Sequence, residues 1–212
     1  MATNATGTRS LLKPVGIGLA ALLVALIVLA GAWLLWVFVL RSPPAGFAPT
    51  AGEASDIGSQ QTTVLQFTID ARSRENWVYF SFEEGVTLST SQDALDWDLA
   101  FRRNDLLTNG GESNPLGMGG AVDLGEVPLA EAVAPSDGFL TDATDEERGL
   151  ENPELHKWYG YSWTTHIITS KNHTYAVRTP SGDVALLTFA SYYCDDGSSG
   201  CVTFQYRRPE ES

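Results

Sequence analysis

The sequence predicts a mainly antiparallel all-β domain behind one transmembrane α-helix. Three observations predict it: an uncharged apolar run over residues 14–40, a series of short runs after residue 62 in which apolar and polar residues alternate, and two cysteines, Cys194 and Cys201, bracketing the turn-rich DDGSSG. Successive strand side chains point to opposite faces, so a period of two marks sheet where a period of 3.6 would mark helix.

The run PVGIGLAALLVALIVLAGAWLLWVFVL carries no charge over 27 positions. As a helix it reaches roughly 40 Å, against about 30 Å of bilayer hydrocarbon, so it spans with some tilt. Ala30-Gly31-Ala32 offers the small residues of a signal cleavage site. A signal's apolar region is about 7–15 residues, however, and here LLWVFVL continues past that point, so the run reads as an uncleaved anchor. Arg9 and Lys13 precede it, while all 26 Asp and Glu lie after Arg41 against 11 Lys and Arg from Arg41 onward. The positive-inside rule then puts residues 1–13 in the cytoplasm and the rest outside, a single-pass protein of a bacterial inner membrane with a periplasmic domain. Trp33 and Trp36 sit near the outer end, where indoles favour the interface. Gly16 with Ala20, and Ala21 with Ala25, place small residues one turn apart, the spacing that lets a partner membrane helix approach closely.

Residues 41–61, rich in Pro, Gly, Ala and Ser, read as a semi-extended tether, with a first strand packed on the domain as the alternative. The domain follows over 62–212. Val64, Phe67 and Ile69 mark its first strand, Trp77–Phe82 the second, and Val86 with Leu88 a third behind Glu83-Glu84-Gly85. At the centre, Trp97, Leu99 and Phe101 alternate with Asp98, Ala100 and Arg102, which predicts one apolar face bearing Trp97 and Phe101 and Asp98 on the other. Leu106-Leu107-Thr108 continues the sheet. Asn109-Gly110-Gly111 and Gly117-Met118-Gly119-Gly120 then supply positive φ or close chain approach; without a P-loop Lys-Ser/Thr or a following helix they do not read as a phosphate cradle. From 122 to 155 the apolar positions are scattered, and Thr144 with Glu147 reads as a capping box on a short helix. TDATDEE lacks EF-hand spacing and reads as solvated loop. Trp158–Thr169 and His173–Thr179 read as consecutive strands around Ser170-Lys171-Asn172, and the rest as a terminal hairpin around the cysteine turn.

The order of these pieces resembles the HmuY family of secreted or anchored β-proteins. The likeness lies in Trp97-Asp98-Leu99-Ala100-Phe101, Thr108-Asn109-Gly110-Gly111-Glu112-Ser113 and Gly117-Met118-Gly119-Gly120-Ala121, with Trp77–Phe82 upstream and Trp158–Tyr161, Tyr175–Arg178 and Ser191-Tyr192-Tyr193 downstream. The resemblance covers most of the chain after residue 62. It implies an all-β fold and, from the founding members, haem binding.

Composition and motifs narrow the function. A net charge of −13 argues against nucleic acid as a partner, since phosphate backbones need Lys and Arg to release counterions. Six residues between Cys194 and Cys201 let a turn bring them to disulfide distance, which an extracytoplasmic compartment favours; C-x₆-C is not a zinc spacing. No G-x-S-x-G or histidine metalloprotease motif is present, so the chain does not read as an enzyme. Haem, which enters only through the resemblance, needs His or Met on the iron, and His156, His166, His173 and Met118 are the candidates. Imidazole is the stronger ligand, and His166 and His173 approach each other if their strands pair. The favoured reading is a non-enzymatic interaction subunit of a larger membrane complex, anchored in the lipid bilayer with other integral membrane proteins as partners and no cofactor. The alternative is a tethered haem-binding protein.

Overall fold

The structure, a computed structural model, describes residues 12–37, 43–58 and 63–209. It divides into two compact units, Met1–Ser42 and Pro43–Ser212. The first contains α1 (Leu12–Leu35), whose window Gly18–Leu35 has a mean hydropathy of 2.6 and the length to cross a membrane. The helix starts two residues before the expected residue 14. Pro14 therefore falls in its first turn, where a missing N–H leaves no intrahelical bond unmade. Gly16 lies within α1, and Ala20, Ala21 and Ala25 are exposed along it. Arg9 and residues 38–42 lie outside the described residues.

The second unit begins with β1 (Ser55–Asp56), β2 (Leu65–Asp70), β3 (Val78–Ser81), β4 (Val86–Leu88), β5 (Leu99–Arg102), β6 (Asp105–Thr108) and β7 (Gly120–Asp123). It continues through β8 (Ala143–Asp145), β9 (Gly149–Glu151), a 3₁₀ turn (Leu155–Lys157), β10 (Tyr159–Tyr161), β11 (Ile168–Ser170), β12 (Thr174–Arg178), β13 (Val184–Tyr193) and β14 (Ser199–Arg207). A six-stranded sheet of order β1-β2-β14-β13-β12-β7 faces a four-stranded sheet of order β4-β3-β5-β6, and β8–β9 and β10–β11 form separate hairpins. The pairings between these strands are antiparallel.

Aromatic rings lock the two sheets together. Phe204 of β14 stacks on Phe101 of β5, with centroids 5.5 Å apart at 16°, and meets Phe80 of β3 edge-on at 5.1 Å. Phe67 of β2 lies 4.9 Å from Phe80. Each such pair adds about 0.5–1.5 kcal/mol beyond the area it buries.

Four expectations are corrected here. The central segment is buried on both sides: Leu99 and Phe101 enter the inter-sheet core, while Trp97 joins Ala100 and Leu107 in a second cluster across the four-stranded sheet. The regular strand starts only at Leu99, so the alternation does not run back to Trp97. Asp98, expected on the face away from the apolar one, is buried and accepts the Phe82 backbone N–H at 2.7 Å. Pro43–Gly58 is not a free tether: Phe47 N–H donates to Tyr193 O, Ala54 N–H to Gly85 O, and β1 extends the six-stranded sheet. Its backbone donors find sheet acceptors despite its loop-like composition; residues 59–61 of the expected linker lie outside the described residues.

Thr144 caps no helix. The segment is the β8–β9 hairpin, whose turn is held by Asp145 accepting the Glu147 and Arg148 N–H groups. Trp158–Thr169 is likewise not one strand. β10 and β11 pair with each other, and β12 pairs with β7 and β13 instead. The strands carrying the approaches to His166 and His173 are therefore not partners. Ahead of β8, residues 124–139 cover the outer face of β12–β13, with Leu124, Leu129 and Phe139 against Ala176 and Leu186.

Candidate functional site

Two hairpins and a disulfide turn border an open cleft of about 780 Å³. The β5–β6 hairpin supplies Arg102, Arg103, Asn104 and Asp105. Its two-residue turn holds Arg103 at φ 57°, a conformation rare for a side chain with a Cβ. The Arg103 backbone N–H donates to Ala71 O at 2.8 Å, which anchors the turn. Its guanidinium donates to Ser199 O at 3.0 Å and Ser199 Oγ at 2.9 Å, and lies 5.6 Å from the Tyr192 ring centre. Arg102 spreads over the Trp77 ring at 4.3 Å and pairs with Asp105 at 3.3 Å. Arg74, from the turn after β2, completes that side.

The opposite side belongs to β10–β11, which contributes His166 and Ile168. Asn104 Nδ2 donates to Tyr159 Oη at 2.9 Å, and Trp158 Nε1 to Asn104 O at 3.1 Å, tying this hairpin to the first. His166 is exposed at the hairpin tip with φ 55°, its Nδ1 2.5 Å from Tyr161 Oη. Trp163 beside it is 83% exposed and packs edge-on against Tyr161. The floor is aromatic. Tyr193 Oη accepts the Ile168 N–H at 2.9 Å, and burial pushes the Tyr192 hydroxyl above the usual tyrosine range, so Tyr192 is neutral. Cys194 and Cys201 are disulfide-bonded, as expected, and the turn they close sets Gly197 and Ser199 at the cleft's edge.

Of the residues singled out in the sequence, this cleft takes His166 and leaves the others elsewhere. His156 sits on the 3₁₀ turn with Nδ1 3.6 Å from Glu151 Oε1, beyond hydrogen-bond reach and facing the β8–β9 hairpin. His173 Nδ1 lies 2.9 Å from Asp123 Oδ2 at the β7 edge, its ring near Tyr175. Met118 is exposed on the glycine loop, and its carbonyl accepts from Arg178 Nε. Sequence reasoning passed over Arg74, Arg102, Arg103 and the Tyr192–Tyr193 pair as site residues. A signal existed: three arginines within 74–103, two of them adjacent, in a domain where carboxylates dominate.

The glycine loop does different work. A Cβ at Gly110 would run into the backbone of Gly119, and one at Gly117 into Asn109 O, so the chain crosses itself with no room for side chains. Asn109 Nδ2 donates to Ala94 O at 2.9 Å and Trp97 O at 2.7 Å, and its Oδ1 accepts from Asn114 Nδ2 at 2.8 Å. Ser113 Oγ donates toward Thr108 O at 2.7 Å. Asp142 Oδ1 accepts from Thr108 N–H, Thr108 Oγ1 and Asn152 Nδ2, while burial pushes its carboxyl up to about 6. This region is a clasp whose bonded residues, Asn109, Ser113, Asn114 and Asp142, are buried, while Leu116 and Met118 at its tip are exposed.

The comparisons agree with the fold. A family model described as HmuY protein matches residues 73–206. A protein of Bacteroides fragilis described as a lipoprotein is similar at 22% identity and a TM-score of 0.59, over 77% of this chain and 100% of its own. A Bacteroides vulgatus protein described as HmuY-like and heme-binding gives 20% and 0.57, over 79% of this chain and 100% of its own. The apo HmuY analogue of Tannerella forsythia gives 19% and 0.58, over 74% and 100%. No curated protein matches the chain.

Proposed function

The chain belongs to the HmuY family, and from that premise we propose that it is a non-enzymatic haem-binding protein, held at a membrane by α1, with His166 as the iron ligand. The family comparison favours this reading over the interaction subunit, which was suggested by the uncleaved anchor and the small-residue spacing within it.

The observation that carries the proposal is the donor set. One imidazole, aromatic walls and guanidinium groups meet in a single cleft, and these suit a planar apolar ring with a metal centre and acidic substituents. Haem, when bound, supplies the iron and its electronic spectrum. The chain's part is to hold and orient. For His166 to offer Nε2 as a lone pair, Nδ1 must carry the ring proton and donate it to Tyr161 Oη, so Tyr161 sets the tautomer and ring direction. His156 and His173 face Glu151 and Asp123 and take no part.

Attachment follows from the length and hydropathy of α1, and an extracytoplasmic domain from the charge asymmetry and the disulfide. Haemin titration of the full-length protein in detergent, against a protein-free detergent blank, tests the reading. The expected result is a saturable Soret change that survives His156→Ala and His173→Ala and disappears in His166→Ala. A spectrum unchanged by His166→Ala would exclude this ligand.

A further inference from the structure

We propose that the tip of the β10–β11 hairpin rests in the headgroup region of the bilayer that holds α1, with the Trp163 indole as the inserted group. The inference rests on α1 being a membrane anchor and is independent of what fills the cleft.

Sequence and exposure point the same way. Trp158 to Ser170 is a run of thirteen residues without Asp, Glu, Lys or Arg, in a chain of net charge −13, and Lys157 and Lys171 close it at its two ends. The run folds back on itself as β10 and β11, with Tyr161 opposite Ile168 and residues 162–167 as the connecting loop. The base of the hairpin is held: Trp158 is buried, and Ile168 N–H donates to Tyr193 Oη. The neck of the loop is bonded within itself, Ser162 N–H to Ile167 O at 2.9 Å and His166 N–H to Ser162 O at 2.7 Å. Beyond that neck the rings face outward. Trp163 is 83% exposed and Tyr161 42%, and they pack edge-on with centroids 5.3 Å apart, so the tip presents a pre-ordered aromatic surface.

The chain path identifies lipid as the occupant. Ala45 O accepts from Ser191 Oγ, and Phe47 N–H donates to Tyr193 O. The same Tyr193 holds the hairpin through its hydroxyl, so the segment arriving from the anchor and the hairpin meet on one residue. The uncharged run that contains α1 ends at Leu40, five peptide steps before Ala45. Five steps reach at most about 18 Å. Indole and phenol rings favour the headgroup region, where the ring leaves water while its N–H or O–H stays hydrated, and flanking lysines extend their ammonium groups to the phosphates. A tethered surface meets the bilayer at high effective concentration, so one aromatic pair suffices where an untethered domain would not stay bound. The carboxylates of the rest of the chain are repelled by anionic lipid, which makes a zwitterionic bilayer the matching surface.

Spin labels at Thr164→Cys on the tip and at Glu146→Cys in the exposed β8–β9 turn test the contact, each in full-length protein reconstituted into phosphatidylcholine vesicles. Collision with oxygen, which concentrates in lipid, is compared with collision with a neutral nickel chelate, which stays in water. The oxygen-to-nickel ratio at Thr164 should exceed that at Glu146 severalfold. Trp163→Ser, at a side chain the fold leaves exposed, should return it to the Glu146 value. Equal ratios at the two positions in vesicle-bound protein overturn the contact and leave the anchor standing. A high ratio at Thr164 that Trp163→Ser does not move overturns the indole as the inserted group. Protein stripped from the vesicles by alkaline carbonate overturns the anchor, and the contact with it.

Discussion

The glycine clasp at 109–120 and the cleft between the β5–β6 and β10–β11 hairpins use similar materials, glycines, asparagines and turns, to opposite ends. In the clasp, Asn109 and Asn114 spend their amides on buried backbone and on each other, and the space beside Gly110 and Gly117 is filled by backbone. The amides of Asn109 and Asn114 are thus spent inside the fold. In the cleft the turns are equally well held, through Arg103 N–H and Asn104, but side chains at its edge are incompletely engaged: the exposed imidazole of His166 and the guanidinium of Arg74, which has no ion pair or hydrogen bond among the described residues. The difference teaches that a tight sequence motif marks a backbone constraint here, and that the binding surface lies where side chains keep unspent capacity.

The comparison breaks first at the clasp. Gly110→Ala puts a methyl group into the Gly119 backbone, with no flexible side chain to yield, and should cost about 5 kcal/mol or prevent folding. Denaturant unfolding checks it, and a well-folded variant would mean that the crossing is looser than described. Trp97→Ala removes a fully buried indole packed 5.1 Å from Tyr79 and should cost roughly 3–5 kcal/mol in the same measurement.

Acidity sharpens it. Burial pushes Asp98 and Asp142 up to about 6, above the ordinary carboxylate value of 3.8. Between those limits the folded state binds more protons than the unfolded one, so these two groups make stability fall as pH rises from about 4 to about 6 and level off above. The loss should be on the order of 3 kcal/mol from each group, about 6 kcal/mol in all. Surface carboxylates such as Asp70, held below their usual range by Arg72, act the other way, and their contribution is lost below about pH 4. Asp142→Asn should flatten the slope between pH 4 and 6 in thermal melts.

A smaller effect belongs to the cleft. Reducing Cys194–Cys201 releases the turn that carries Ser199, the acceptor for Arg103, and should cost about 2–3 kcal/mol. Porphyrin affinity should fall with it, whereas the clasp, measured by protection of its amides, should not change.

Much of the fold was legible in the sequence because sheet burial has a period. The strands around Phe67, Phe80, Leu106 and Phe204 fall where alternation puts them, and the cysteines meet across their turn. Where a segment is buried on both faces, as at Trp97-Asp98, alternation loses its meaning and the phase was misjudged. Pro43–Gly58 and the β8–β9 hairpin were misjudged because their contacts are made by backbone, which composition does not report. Of the four ligand candidates that followed from the resemblance, His156, His166, His173 and Met118, this cleft takes only His166. Arg74 and Arg103 are separated from it by more than sixty residues, and only the pairing of strands puts them around one cleft.

The most direct measurement is a matched pair of variants, Asn109→Ala in the clasp and His166→Ala in the cleft, each read for melting temperature and for Soret amplitude per folded molecule with haemin. Asn109→Ala should lower stability by about 2–3 kcal/mol, because two buried carbonyls and the Asn114 amide lose their partner, while the remaining folded molecules keep the full Soret change. His166→Ala, at an exposed hairpin tip, should leave the melt within about 0.5 kcal/mol and abolish the Soret change. The reverse pattern, with haem binding lost from folded Asn109→Ala and kept in His166→Ala, would contradict the assignment of structure to the clasp and ligand to the cleft.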